Sequence, residues 1–237
     1  MLNRILQQIY PCSCVLCGEA KGLGRSISRN LCSSCEADLI VNQTACRQCA
    51  IPLFDSPTDS VCGQCLKKSS EYDSAWSAFI YAQPLEWMIQ QLKFNGKLIY
   101  ADLLAELMMP HLPDLDQQPD CIIPVPLHSK RLRQRGYNQT YELIKPVAKK
   151  TGIKIDLENC VRKKYTTAQT GLDAKSRRQN VKAAFDFKNT HHYNYVIVFD
   201  DVMTTGSTMN ELAKVIKKQG VQRVDVWSLA RAEKHFK

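Results

Sequence analysis

The residues best suited to chemistry lie together near the C-terminal end: Asp200, Asp201, Thr204, Thr205, Gly206, Ser207 and Thr208. Two adjacent carboxylates accept hydrogen bonds from hydroxyl groups or from the waters of a bound cation. A run of hydroxyl side chains around a glycine offers O–H and N–H donors to an anion, and Gly206 lets the backbone approach it closely. A helix cap needs one such hydroxyl, and here there are four. Acids followed by an anion loop suit a sugar phosphate, the acids taking the ribose hydroxyls and the loop taking the phosphate.

Such a loop has to be carried by a strand and a helix. Val196, Ile197, Val198 and Phe199 form an apolar run followed at once by the two acids, which reads as a strand buried on both faces. After the loop, Met209, Leu212, Ala213 and Ile216 recur at the spacing of one helix face, and Lys217, Lys218 and Gly220 close that helix. A strand, a loop and a helix in this order make a corner of an α/β sheet, where ligands bind beyond the carboxyl ends of parallel strands. The loop has neither the lysine of a GxxxxGK[ST] loop nor the spacing of a GxGxxG fingerprint.

The second chemical signal is cysteine. Nine of the 11 cysteines precede residue 66, and eight form four CxxC pairs: Cys14/Cys17, Cys32/Cys35, Cys46/Cys49 and Cys62/Cys65. Two pairs of thiolates make one tetrahedral site. The spacers of 14 residues (18–31) and 12 residues (50–61) fit zinc ribbons, so two structural Zn2+ sites are expected, with a crossed pairing left open and Cys12 able to compete. A redox CxxC would occur once at a helix start, and disulfides need an oxidising compartment. Few large apolar residues lie in 1–70, so metal would supply much of that segment's folding energy. Cys121 and Cys160 read as ordinary thiols.

Between these two signals the chain is organised in steps. Residues 67–74 are polar enough for a linker; Ala75–Tyr81 reads as a strand, Pro84 opens a helix, and a second helix runs from about Lys97 to His111. Lys93, Phe94, Asn95 and Gly96 lie between these helices, and Lys93 reads equally well as a solvated or a functional lysine. Over residues 121–128 an apolar run broken by Pro124 and Pro126 ends as a strand and turns into a rigid loop with His128 and Ser129, which opens onto Lys130, Arg131, Arg133 and Arg135. A helix then runs toward Lys150, with a kink or an early end expected at Pro146. Residues 162–185 read as an exposed basic loop containing Lys163, Lys164, Arg177 and Arg178. The net charge of +9 is concentrated: residues 121–190 hold 16 Lys/Arg against 5 Asp/Glu, whereas residues 71–120 hold 2 against 8. Such a basic half, with Tyr137, Tyr165 and Phe185 among its cations, has the composition of a groove for single-stranded nucleic acid.

The acid pair and the loop 204–208 resemble the signature with which type I phosphoribosyltransferases bind phosphoribosyl pyrophosphate (PRPP). Taken with the four CxxC pairs, the Lys93–Gly96 turn, residues 124–128 with 135–139, and Gln169, Leu172, Arg177 and Asn180, the chain is similar to the ComF (ComFC) family of competence proteins over nearly its whole length. The resemblance implies an α/β fold: a type I phosphoribosyltransferase domain, mainly a parallel sheet flanked by helices, over residues 71–237 behind a double zinc-ribbon module at 1–70. Within the larger domain, 71–120 would form the hood and helices and 121–237 the PRPP-binding core. It implies catalytic Asp200 and Asp201 on the ribose hydroxyls, residues 204–208 on the 5-phosphate, Lys130 and Arg131 at the diphosphate with Mg2+, and a basic lid.

Two principal functions follow. One is a cytoplasmic protein that binds PRPP and handles single-stranded DNA in natural transformation, with Arg133, Arg135, Lys163, Lys164, Arg177 and Arg178 as nucleic-acid contacts. The alternative is an active phosphoribosyltransferase of nucleotide or small-molecule metabolism without a DNA role. A third reading has the zinc module docking a DNA-translocating helicase. The start of the sequence has no apolar stretch of signal-peptide length, and no run approaches a membrane span, so no membrane insertion is expected.

Overall fold

The computed structural model describes residues 13–19, 30–53, 57, 60–165 and 181–232. Cys12, the basic loop 166–180 with Arg177 and Arg178, and its motif residues Gln169, Leu172 and Asn180 lie outside the described residues.

The N-terminal segment is turn-rich. It holds two short helices, α1 (Ser33–Ala37) and α2 (Gly63–Lys67), each starting directly after the first cysteine of a CxxC pair. Beyond it come β1 (Ser74–Ile80), α3 (Leu85–Phe94), α4 (Ile99–Met108), β2 (Cys121–Pro124), α5 (Ser129–Arg135) and α6 (Gln139–Thr151). The chain continues as the hairpin β3 (Cys160–Arg162) and β4 (Phe185–Phe187), then β5 (Tyr195–Met203), α7 (Ser207–Lys217) and β6 (Arg223–Arg231).

Four strands form one parallel sheet in the order β1, β6, β5, β2. Parallel strands need crossovers, and the helices that make them cover both faces, which is why β5 reads as an unbroken apolar run rather than an alternation. On one face, α3, α4 and α6 bury Met88, Leu92, Leu104, Ile144 and Val147 against Ile122, Ile197 and Phe199. On the other, α7 buries Met209, Leu212, Ala213 and Ile216 against Val198, Val224 and Val226, matching the spacing read from sequence. The fold is thus a parallel sheet flanked by helices.

Three elements differ from expectation. The exposed basic loop read over residues 162–185 is shorter at both ends, because Arg162 closes β3 and Phe185 opens β4, where its ring is 5% exposed and packed in the core rather than free to stack on a base. β5 does not stop at Phe199: Asp200, Val202 and Met203 pair with Ser228, Ala230 and Arg231 of β6, so the acid pair sits on the last turns of a strand and is held by its ladder. α6 does not end at Pro146 but continues to Thr151 and closes on Gly152. Leu143, Ile144, Val147 and Ala148 are buried on both sides of the proline, and this packing outweighs one missing hydrogen bond.

The N-terminal segment is not loosely tethered. Residues 40–42 add to the free edge of β1, with Asn42 N–H donating to the Ala78 carbonyl at 3.0 Å and Ile80 N–H to that of Ile40 at 2.8 Å. They cover an edge that would otherwise be open to another chain.

Candidate functional site

The site is built at the carboxyl end of β5. Asp201 is 3% exposed. Its Oδ1 lies 2.8 Å from the Nζ of Lys93 at the end of α3, and its Oδ2 is buried without a hydrogen-bond partner. A buried carboxylate oxygen with no partner is costly, so it points to an absent donor. Asp200 Oδ1 accepts from the Asp201 N–H at 2.9 Å. Part of the Asp200 surface still reaches solvent, yet burial and then the adjacent Asp201 charge push its carboxyl up to about 7, against the pull of Lys93 and Arg162.

The loop after the acids turns through Gly206, whose φ of +72° is the left-handed region, and Ser207 begins α7. A Cβ on Gly206 would lie 3.1 Å from the Met203 Cε and 3.4 Å from the Tyr72 Oη, so both backbone angle and space select glycine. Thr205 Oγ1 and Ser207 Oγ are 2.8 Å apart, and the Ser207 N–H donates to Thr205 Oγ1 at 3.3 Å. These hydroxyls and the N–H groups at the start of α7 are the kinds of donor that an anion takes, and they stand next to the acids.

Cations approach from two directions. Lys130 and Arg131 lie on the first turn of α5, whose start is capped by His128 Nδ1 accepting from the Lys130 N–H at 3.2 Å. Arg135, at the last turn of α5, bonds Gln139 and lies over the Phe94 ring at 5.8 Å; burial lowers its pKa while the Asp201 charge raises it. Arg162, on β3, lies 5.3 Å over the Phe185 ring and feels both Asp200 and Arg131. Lys93, Arg131, Arg135 and Arg162 therefore share one electrostatic neighbourhood with the acids.

The remaining candidates lie outward. Arg133 is exposed. Lys163 pairs with Asp186 at 2.8 Å, and Lys164 donates to the Lys182 carbonyl at 2.8 Å, so both are engaged by the β3–β4 region. Lys130 stacks at 4.9 Å on the ring of Tyr165, which also meets His128 edge to face at 5.3 Å. Cys121 and Cys160 are buried in β2 and β3, and burial pushes both thiols up to about 12, as suits packing residues.

Two contributors had no clear signal in the sequence. Lys93 was ambiguous, and only the close approach of α3 to β5 decides it. Arg231, on β6, stands in no motif, yet it is 1% exposed and donates to the Met203 and Thr204 carbonyls at the entry to the loop.

The cysteines form two separate sets, Cys14/Cys17/Cys32/Cys35 and Cys46/Cys49/Cys62/Cys65, with all Sγ atoms of a set within 4.8 Å of one another. The Cys17–Cys32 and Cys49–Cys62 Sγ separations are both 3.7 Å, close to the ~3.8 Å edge of a tetrahedron with Zn–S bonds of about 2.3 Å. The crossed pairing is thereby excluded, and both sites fit structural Zn2+ with no open position.

A family model for the double zinc ribbon domain matches residues 5–66. Competence protein F of Haemophilus influenzae is 37% identical over 91% of this chain and 96% of its own length. The chain belongs to the ComF family of competence proteins. DNA utilization protein YhgH of Escherichia coli O157:H7 is 34% identical over 93% of this chain and 97% of its own, and competence protein ComFC of Streptococcus pneumoniae 23% over 92% and 99%. Among solved structures, the allosteric regulatory enzyme of purine biosynthesis aligns with 54% of this chain and 24% of its own at 17% identity, with a TM-score of 0.31. No helix among the described residues is long and apolar enough to cross a membrane.

Proposed function

We propose that this ComF-family chain is a cytoplasmic protein that binds PRPP with Mg2+ and handles single-stranded DNA in natural transformation. The observation that carries the PRPP half is the buried, unpartnered Oδ2 of Asp201, set beside Asp200 on the strand that delivers the loop 204–208. Ribose hydroxyls, or waters on a Mg2+ held by the diphosphate, would supply the missing donor. Thr204, Thr205, Gly206, Ser207 and Thr208 would enclose the 5-phosphate at the start of α7, and Lys130 and Arg131 would face the diphosphate.

In this arrangement the protein works by position and field. As the bond from the anomeric carbon to pyrophosphate breaks and an acceptor nucleophile bonds to that carbon, Asp200 and Asp201 would stabilise the positive charge that develops on the ribose, while Arg131 and Arg162 would offset the negative charge that leaves with pyrophosphate. Mg2+ would neutralise the diphosphate oxygens. The DNA half rests on the relatives' names and on the basic segment 121–190, in which Lys130 stacks on the exposed ring of Tyr165.

Calorimetric titration with PRPP, with and without Mg2+, tests the pocket. Micromolar Mg2+-dependent binding that disappears in Asp200→Asn/Asp201→Asn is expected. Binding that survives the double substitution would move the ligand elsewhere, and no binding by the intact protein would reject the PRPP reading.

A further inference from the structure

The loop that cradles the anion has a second set of contacts, which none of the chemistry above uses. The guanidinium of Arg231 is buried among carbonyl oxygens. Nε donates to the Cys49 carbonyl at 2.7 Å, and Nη1 to the carbonyls of Met203 at 2.9 Å, Thr204, and Ala232 at 2.8 Å. A buried cation is tolerated only where such acceptors are fixed around it. Met203 and Thr204 open the phosphate loop; Cys49 belongs to the second zinc site.

Other contacts follow the same route. The Tyr72 hydroxyl lies against Gly206, and the Tyr72 carbonyl accepts from Gln48 Nε2 at 3.0 Å. The Glu71 N–H donates to Asn210 Oδ1 on α7 at 2.9 Å. Cys49 and Ala50 pack in the same apolar cluster as Met203 and Met209. The turn that presents the Cys49 carbonyl is held in an unfavourable form, with Ala50 at φ +53° and its N–H donating to the Cys46 carbonyl at 2.7 Å. Metal ligation by Cys46 and Cys49 would fix that turn. The first site is attached elsewhere: Cys14, Leu31 and Leu39 pack in the cluster of α3, α4 and α6, on the opposite face of the sheet.

From this asymmetry we propose that the second zinc site is energetically coupled to the phosphate loop through Arg231, and that the first is not. Occupancy of the Cys46/Cys49/Cys62/Cys65 site holds the Cys49 carbonyl in place, which holds Arg231, which holds the backbone of residues 203 and 204. Loss of that metal frees the turn, removes an acceptor from a buried cation, and loosens the loop. The chain then binds phosphoribosyl ligands only when its ribbon is loaded, which ties the site to metal availability and to thiol oxidation. This extension to PRPP rests on the reading of the pocket given above; the coupling of metal to loop does not.

The test compares full-length Cys14→Ser/Cys17→Ser with Cys62→Ser/Cys65→Ser. Zinc content is verified for each, and amide hydrogen exchange is followed over residues 203–210. Exchange at the loop is expected to rise at least fivefold in the second-site variant and to stay at the wild-type rate in the first-site variant. Arg231→Gln should keep both zinc ions and reproduce the faster exchange, which separates coupling from collapse of the ribbon. In the wild-type protein, Mg2+ and PRPP should tighten the equilibrium affinity for the second zinc, read in a competition titration against a chelator, by the factor, about 5- to 150-fold, by which that zinc tightens PRPP, because coupling is reciprocal. Unchanged exchange in the second-site variant, or an equal effect from both sites, overturns the proposal. If the intact protein binds no PRPP, the pocket reading fails, and the exchange comparison still decides the coupling.

Discussion

At the scale of single residues, the site is defined by two aspartates in unlike surroundings. Asp201 is compensated by Lys93 at 2.8 Å, whereas the Asp200 carboxyl is pushed up to about 7 by burial and by its neighbour. The sign of the consequence is fixed. An acid whose folded pKa exceeds its unfolded value of about 3.9 keeps a proton that the unfolded chain has released, so its contribution to stability falls as pH rises from about 4 to 7. Asp200→Asn should therefore raise the melting temperature at pH 8 more than at pH 4. Ligand binding runs the opposite way, because a ribose hydroxyl or a magnesium water needs the ionised form. Between pH 6 and 8 the ionised fraction grows about tenfold, and affinity for Mg2+ and PRPP should follow it. PRPP phosphates also titrate near pH 6, so the decisive quantity is the difference between wild type and Asp200→Asn. A pH profile with the same slope in both would remove Asp200 from the binding step.

At the scale of elements, the β5–loop–α7 unit shows what sequence could and could not supply. The helix face was legible because Met209, Leu212, Ala213 and Ile216 bury one stripe and periodicity is a local property. The acids and hydroxyls were legible as types in order. What escaped is tertiary: β5 runs on through the acids because β6 pairs with them, α6 crosses Pro146 because its neighbours bury both halves, and Arg231 is interior because the ribbon covers it. Each depends on a partner distant in the chain. The pairing of CxxC motifs is an intermediate case, where spacing favoured neighbours and only the two sulfur clusters excluded the crossed arrangement. The loop makes its own prediction. Gly206→Ala puts a Cβ 3.1 Å from Met203 Cε at a positive φ, costing about 1 to 2 kcal/mol through strain. Thermal unfolding should show that loss, and PRPP titration should show a larger one, because the cradle N–H groups turn with the glycine. Full affinity in Gly206→Ala would mean that the phosphate does not lie in this loop.

At the scale of the whole molecule, charge is divided along the chain: 16 Lys/Arg against 5 Asp/Glu over residues 121–190, following 2 against 8 over 71–120. Part of the basic set is spent internally, on Asp186, on the acid pair and on backbone carbonyls, so formal charge overstates what a polyanion meets. If about five cations contact phosphates, single-stranded DNA affinity should drop roughly a hundredfold between about 50 and 200 mM salt, from a slope near −0.7 per phosphate. Arg133→Gln, at an exposed position on α5, should lower that slope by about 0.7 without touching the pocket. Tyr165→Ala should act differently: stacking on a base contributes about 1 to 3 kcal/mol and carries no charge, so affinity falls while the salt slope stays. Fluorescence anisotropy with a labelled oligonucleotide across a salt series separates these terms. DNA binding indifferent to salt, or altered by neither substitution, would take the basic half out of DNA handling. The proposed ligand site at the end of β5 would then have to carry the function alone.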